Sequence, residues 1–157
     1  MCFVLFMASD KPRREIPWDE KAPSFHVKAD DACAMKTRRH FSKPHVYYLG
    51  SSSMCGCNFR REPDWVFDQL QDEERRTKQE NQEALHSFLA ECLDDEPTVE
   101  LLGCWSGNEE KPLQNRRNIN LDDLLSGKFF FDDDRTELII VQRQANDTLG
   151  GARQDHD

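Results

Sequence analysis

The chain has 157 residues, 37% hydrophobic and 32% charged, with 10 Phe and 3 Trp. At about 100–200 residues per domain this is one domain with a core of its own, and 7 Gly with 7 Pro exclude collagen-like and low-complexity architectures. A net charge of -9 makes the chain a poor match for a phosphate backbone, so nucleic acid is not an expected partner.

The charge is uneven. Residues 1–43 hold nine basic and six acidic side chains, including Arg13, Arg14, Lys36, Arg38, Arg39 and Lys43; the rest of the chain is strongly acidic. Ordinary solvated surface explains this pattern more simply than a basic patch does.

Taken in chain order, Cys2–Ala8 is the longest apolar run, seven residues. It is far short of the ~18 apolar residues of a membrane span. It has no basic n-region and no A-x-A pattern, so it reads as a strand buried on both faces and not as a signal peptide. The expected location is the cytoplasm, where six cysteines serve as thiols or metal ligands more readily than as disulfides.

Residues 11–24 contain three prolines and read as a loop anchored by Ile16 and Trp18. Phe25–Lys28 is a short edge strand with Phe25 and Val27 on one face. Asp30 and Asp31 open a helix that runs to about Phe41, and Lys43-Pro44 stops it. His45–Leu49 is a strand, Gly50–Cys57 a small-residue loop, and Asn58–Arg60 a short strand. Asp64 caps a helix carrying Trp65, Phe67 and Leu70. Asp72/Arg76 and Glu74/Lys78 support an exposed helix at i,i+4 spacing, and Leu85, Phe88, Leu89 and Cys92 form its apolar face further on. Thr98–Trp105 is a strand, 108–118 a polar loop, and 120–125 a short helix with Gly127 as its C-cap. Phe129–Phe131 and Thr136–Gln142 read as a β-hairpin around Asp132–Arg135. Residues 144–157 form a flexible polar tail.

This order predicts an α+β (mixed α/β) domain over residues 1–143, with a single sheet and packed helices: a ferredoxin-like core with an added C-terminal hairpin.

Four cysteines stand out. Cys2 opens the first strand, Cys55 and Cys57 lie in the loop after the next main strand, and Cys104 ends another. If those strands are neighbours, the thiols meet at one sheet edge as a soft sulfur site for zinc or an iron–sulfur cluster. Cys-Gly-Cys is not the usual C-x2-C spacing, and Gly56 supplies the sharp turn that two ligands one residue apart require. Cys55 and Cys57 also suit a redox thiol pair, and the plain alternative is a turn with no ligand. Cys33 and Cys92 fall in helices, Cys92 as a small core residue. His45 is a nitrogen donor in sequence but reads as surface.

Two further readings compete with a metal or redox site. The first is a noncatalytic protein-interaction module using the acidic helix 72–93, with an unknown protein as partner. The second is an N-terminal nucleophile: with Met1 removed, the amine of Cys2 would serve its own thiol as base, as in N-terminal nucleophile hydrolases. No Walker loop, G-x-G-x-x-G, H-E-x-x-H or G-x-S-x-G is present. Asp132–Asp134 lacks the spaced ligands of a calcium loop and reads as a solvated turn.

The Met-Cys start, Ile16-Pro17-Trp18-Asp19, the His45–Gly50 segment and Cys55-Gly56-Cys57-Asn58-Phe59 together resemble a family of small bacterial proteins with no assigned activity. The likeness spans most of residues 1–142. It implies a bacterial, cytosolic, single-domain protein and carries no mechanism.

Overall fold

One unbroken apolar run and one interrupted by the buried Glu100 form the middle of the sheet. The computed structural model describes residues 2–29, 32–60, 64–127, 129, 131–132 and 134–143, leaving out the side chains of 32–34 and 64. It places β1 at Phe3–Ser9 and β4 at Thr98–Trp105, antiparallel, with Leu5 opposite Gly103 and Met7 opposite Leu101. Every residue of β1 is buried, as an apolar strand covered on both faces requires. On one side follow β3 (His45–Gly50) and the edge strand β2 (His26–Ala29); on the other β6 (Glu137–Gln142) and the edge strand β5 (Asn115–Asn120). The order is β2-β3-β1-β4-β6-β5, with only β5–β6 parallel. The fold is α+β, one mixed sheet with helices.

The order β2-β3-β1-β4, with both neighbours of β1 antiparallel to it, is that of a ferredoxin-like sheet, although a loop and not a helix joins β1 to β2. The expected C-terminal hairpin is corrected: β6 pairs with β4 and, in parallel, with β5. Phe129 and Phe131 lie outside any strand. Their rings pack edge to face at 4.9 Å, and Phe131 meets Phe3 at 5.4 Å. Burying two rings in the core contributes more than a short ladder with an exposed partner would. Phe130 and Asp133 are outside the described residues. Asp132 accepts the N–H of Asp134 and faces Arg135 at 3.6 Å, a local turn as expected.

Strand alternation sorts the core into two faces. Phe3, Leu5 and Met7 point to the larger cluster; Val4, Phe6 and Ala8 point to the smaller one on the other face. Gly103 is required by packing: a Cβ there would stand 2.8 Å from Phe3 Cζ.

The larger face is covered by α3 (Asp72–Leu93), through Leu85, Phe88, Leu89 and Cys92. Asp72, Glu73 and Glu74 occupy the first turn, where the helix dipole favours anions. Asp72 pairs with Arg75, one position short of the expected Arg76. Burial begins a turn before the apolar spacing does, at Asn81 and Gln82. Asn81 earns its place by bonding Ser52, accepting its N–H at 2.9 Å and donating to its Oγ at 2.9 Å. The helix at Asp64–Phe67 (α2) is a single short turn separate from α3, and Trp65 is exposed. Ala32–Thr37 forms α1, continued by a 3-10 turn at Arg38–His40; Asp30 and Asp31, its expected caps, lie outside the described residues. Residues 57–59 and 121–124 are 3-10 turns, the first in place of the expected strand at 58–60. The tail 144–157 is also outside the described residues.

At the end of β1 far from Cys2, the loop 11–24 is held by charge. Glu96 is buried and accepts from Ser9 Oγ at 2.6 Å, from the Asp10 N–H at 3.1 Å, from Lys43 Nζ at 3.0 Å and from Arg13. Arg13 also reaches Asp95 at 2.6 Å.

Candidate metal centre

Where β3 leaves the sheet, the loop 51–57 takes over as neighbour of β1. The Gly56 N–H donates to the Phe3 carbonyl at 2.7 Å, and the Phe3 N–H donates to Cys57 Sγ at 3.4 Å. Ser51 closes the loop, its N–H and its Oγ both donating to the Cys55 carbonyl, at 2.8 and 2.5 Å. Met54 adopts φ 74, and its carbonyl accepts from Tyr48 OH at 2.6 Å. Gly56 itself has φ -89, which any residue adopts, so the expected turn-making role is corrected. Its reason is close approach: a Cβ would stand 3.1 Å from Phe3 Cδ1 and 3.2 Å from the Phe3 carbonyl oxygen.

The result is that Cys2, Cys55 and Cys57 converge. Their Sγ atoms all lie within 4.8 Å of one another. Zn–S bonds of about 2.3 Å in a tetrahedron put sulfurs about 3.8 Å apart, so small side-chain rotations close the set on one ion. Cys2 is exposed, Cys55 is buried and Cys57 is half-buried against the larger core cluster. The Cys2 carbonyl accepts from the Ser106 N–H at 2.7 Å, which fixes the start of the strand.

The three thiols are not equivalent. Burial pushes the Cys55 thiol up, but hydrogen bonds from Ser53 Oγ, the Cys57 N–H and the thiols of Cys57 and Cys2 outweigh it, and the net direction is down. Burial pushes Cys57 up, and donating to Cys55 adds to that. Within the Cys55–Cys57 pair, the thiolate is therefore better stabilised on Cys55.

Cys104, the fourth expected ligand, does not join them. It is fully buried in the smaller core cluster, opposite Val4 on β1, and burial pushes its thiol up to about 12. The strands are neighbours as the metal reading required, but the register sets Cys104 one pleat too deep. Cys92 is a core residue as expected, its thiol pushed up to about 11 by burial. His45 pairs with Ser9 at the far end of β1, about 23 Å from Cys2 at ~3.3 Å per residue.

Cys2 and Cys55 also line a cavity of about 470 Å³ on the smaller-cluster face, together with Trp18, His26 and Tyr48. Sequence reasoning singled out Trp18 as a loop anchor and passed over His26. The signal was there in the alternation: Phe25 and Val27 face the larger cluster, which turns His26 to the other face. A larger cleft of about 720 Å³ runs between α3 and the loop 14–25 and contains no cysteine. No helix among the described residues is long and apolar enough to cross a membrane.

The fold and site thus define an α+β protein with a three-thiol cluster opening on a cavity. Comparison with protein-family models, curated proteins and solved structures gives no match.

Proposed function

We propose that the protein binds one thiophilic metal ion, zinc in the first place, through Cys2, Cys55 and Cys57. The observation that supports this is the convergence of three sulfurs from segments more than fifty residues apart, all within 4.8 Å. Soft thiolates select zinc or iron–sulfur chemistry. Iron–sulfur clusters are ordinarily held by four cysteines, and with Cys104 outside the set zinc is the better fit. Three protein ligands and one open position is the pattern of a zinc site that can act as a Lewis acid. A reducing compartment such as the cytoplasm keeps these thiols available.

Cobalt(II) tests the site directly. Titration of the metal-free protein is expected to give thiolate-to-cobalt charge-transfer absorption that saturates at one ion per chain. Cys57→Ser should weaken binding at least 100-fold, whereas Cys104→Ala should leave it intact. Absence of the absorption in the folded wild type would sink the proposal.

A second reading, a thiol redox pair, is favoured by the polarity between Cys55 and Cys57. It separates from the first on metal: a redox pair cycles between dithiol and disulfide in the metal-free protein.

A further inference from the structure

The cavity beside the cysteines has a built wall that the metal reading does not use. Alternation on β2 turns His26 away from the larger core cluster, and the ring lies 7% exposed between two aromatic neighbours. Trp18 meets it edge to face at 4.9 Å, and the tilted ring of Tyr48 lies 6.1 Å away. Gly50 makes room for it: a Cβ there would stand 2.0 Å from His26 Cε1. Any other residue at 50 would displace the ring.

The tautomer of His26 follows from its partner. Nδ1 lies 3.3 Å from the Ser24 carbonyl oxygen, which can only accept, so Nδ1 carries the proton. Nε2 is then a lone-pair acceptor. Nothing among the described residues donates to it, and it is not sealed off from the cavity. Burial lowers the ring's affinity for a second proton, which keeps the acceptor available at neutral pH. The acceptor thus faces a cavity that a donor can enter, on a ring held in place by its neighbours.

We propose that this cavity is a binding site for a small flat heteroaromatic molecule carrying an N–H donor, which stacks along the Trp18–Tyr48 wall and donates to His26 Nε2. The volume of about 470 Å³ suits a small organic molecule. Cys2 and Cys55 on the same cavity place such a molecule next to the sulfur cluster. A ligand with a second, unprotonated ring nitrogen would also meet a metal held there. The inference goes beyond the metal reading and stands without it.

Benzimidazole is the probe, because it has both an N–H and a free ring nitrogen; 1-methylbenzimidazole lacks only the N–H. Both are titrated by calorimetry into zinc-loaded and metal-free protein. The expected result is one benzimidazole per chain, with a Kd below about 1 mM and at least tenfold tighter than that of the methylated form. The preference for the N–H compound should hold in both forms and disappear in His26→Phe, which keeps a ring in the wall. Trp18→Ala should weaken both compounds. No saturable binding, or equal binding of the two compounds to the wild type, overturns the proposal. Discrimination in the metal-free protein with no gain on adding zinc would support the cavity and show that the bound molecule does not touch the metal, while the cobalt titration tests the metal reading by itself.

Discussion

Glu96→Gln is expected to destabilise the fold by about 3–5 kcal/mol, because it leaves buried cations without their central anion. The Arg13 and Lys43 side chains are only 10% and 9% exposed. Each keeps a second carboxylate, Asp95 and Asp10, which places the cost toward the lower end of that range. Urea unfolding measures it. The control is Glu91→Gln, which removes an ion pair to Arg14 between two exposed side chains and should change stability by less than about 1 kcal/mol.

The same carboxylate sets an acid limit. Burial alone would raise the Glu96 carboxyl, but bonds from Ser9, Arg13, the Asp10 N–H and Lys43 outweigh it and hold it at about 2 against an ordinary value of 4.5. Its contribution is present in full above pH 4.5 and is lost as pH falls through 4.5 toward 2. Glu96→Gln should therefore flatten the stability profile across that window. An unchanged acid slope in the variant would show that other carboxylates carry it.

Phe3→Ala is expected to cost about 3–5 kcal/mol and also to loosen the metal centre. Phe3 is fully buried; its ring packs on Phe131 and lies over Gly103 and Gly56. The loop bearing Cys55 and Cys57 rests on that ring, so the cavity left by alanine lets the loop shift. Cobalt affinity should fall about tenfold, equivalent to ~1.4 kcal/mol. Leu89→Ala supplies the contrast. It removes an equally buried side chain from α3 at a cost of about 2–5 kcal/mol, and it should leave cobalt affinity unchanged. Equal effects of the two variants on cobalt would mean that Phe3 acts only through global stability.

The elements with the strongest patterns were legible in the sequence. β1 is a continuous apolar run, β4 is mostly apolar around Glu100, β3 follows a helix-stopping proline, and the docking half of α3 shows its apolar stripe. β5 was hidden because an edge strand buries so little: Ile119 is its one buried residue, and Asn115–Asn118 reads as a polar loop. Phe129 and Phe131 misled in the opposite sense, since aromatic residues favour strands locally but here fill a gap under α3. At the site, local sequence identified the loop thiols and the strand thiol, but only register separates a cysteine at the sheet edge from one a pleat inside. That is why Cys2 is a ligand candidate and Cys104 is not. His26 was missed because nothing local connects it to a loop thirty residues later; the β2–β3 pairing does, setting His26 opposite Gly50.

The most direct test of the metal centre is elemental analysis of the protein purified anaerobically without chelator. One zinc per chain is the result expected for the wild type and for Cys104→Ala, with none in the Cys55→Ser, Cys57→Ser double variant. A folded wild type without stoichiometric metal, or a double variant that retains it, would contradict the assignment of Cys2, Cys55 and Cys57 as the ligands.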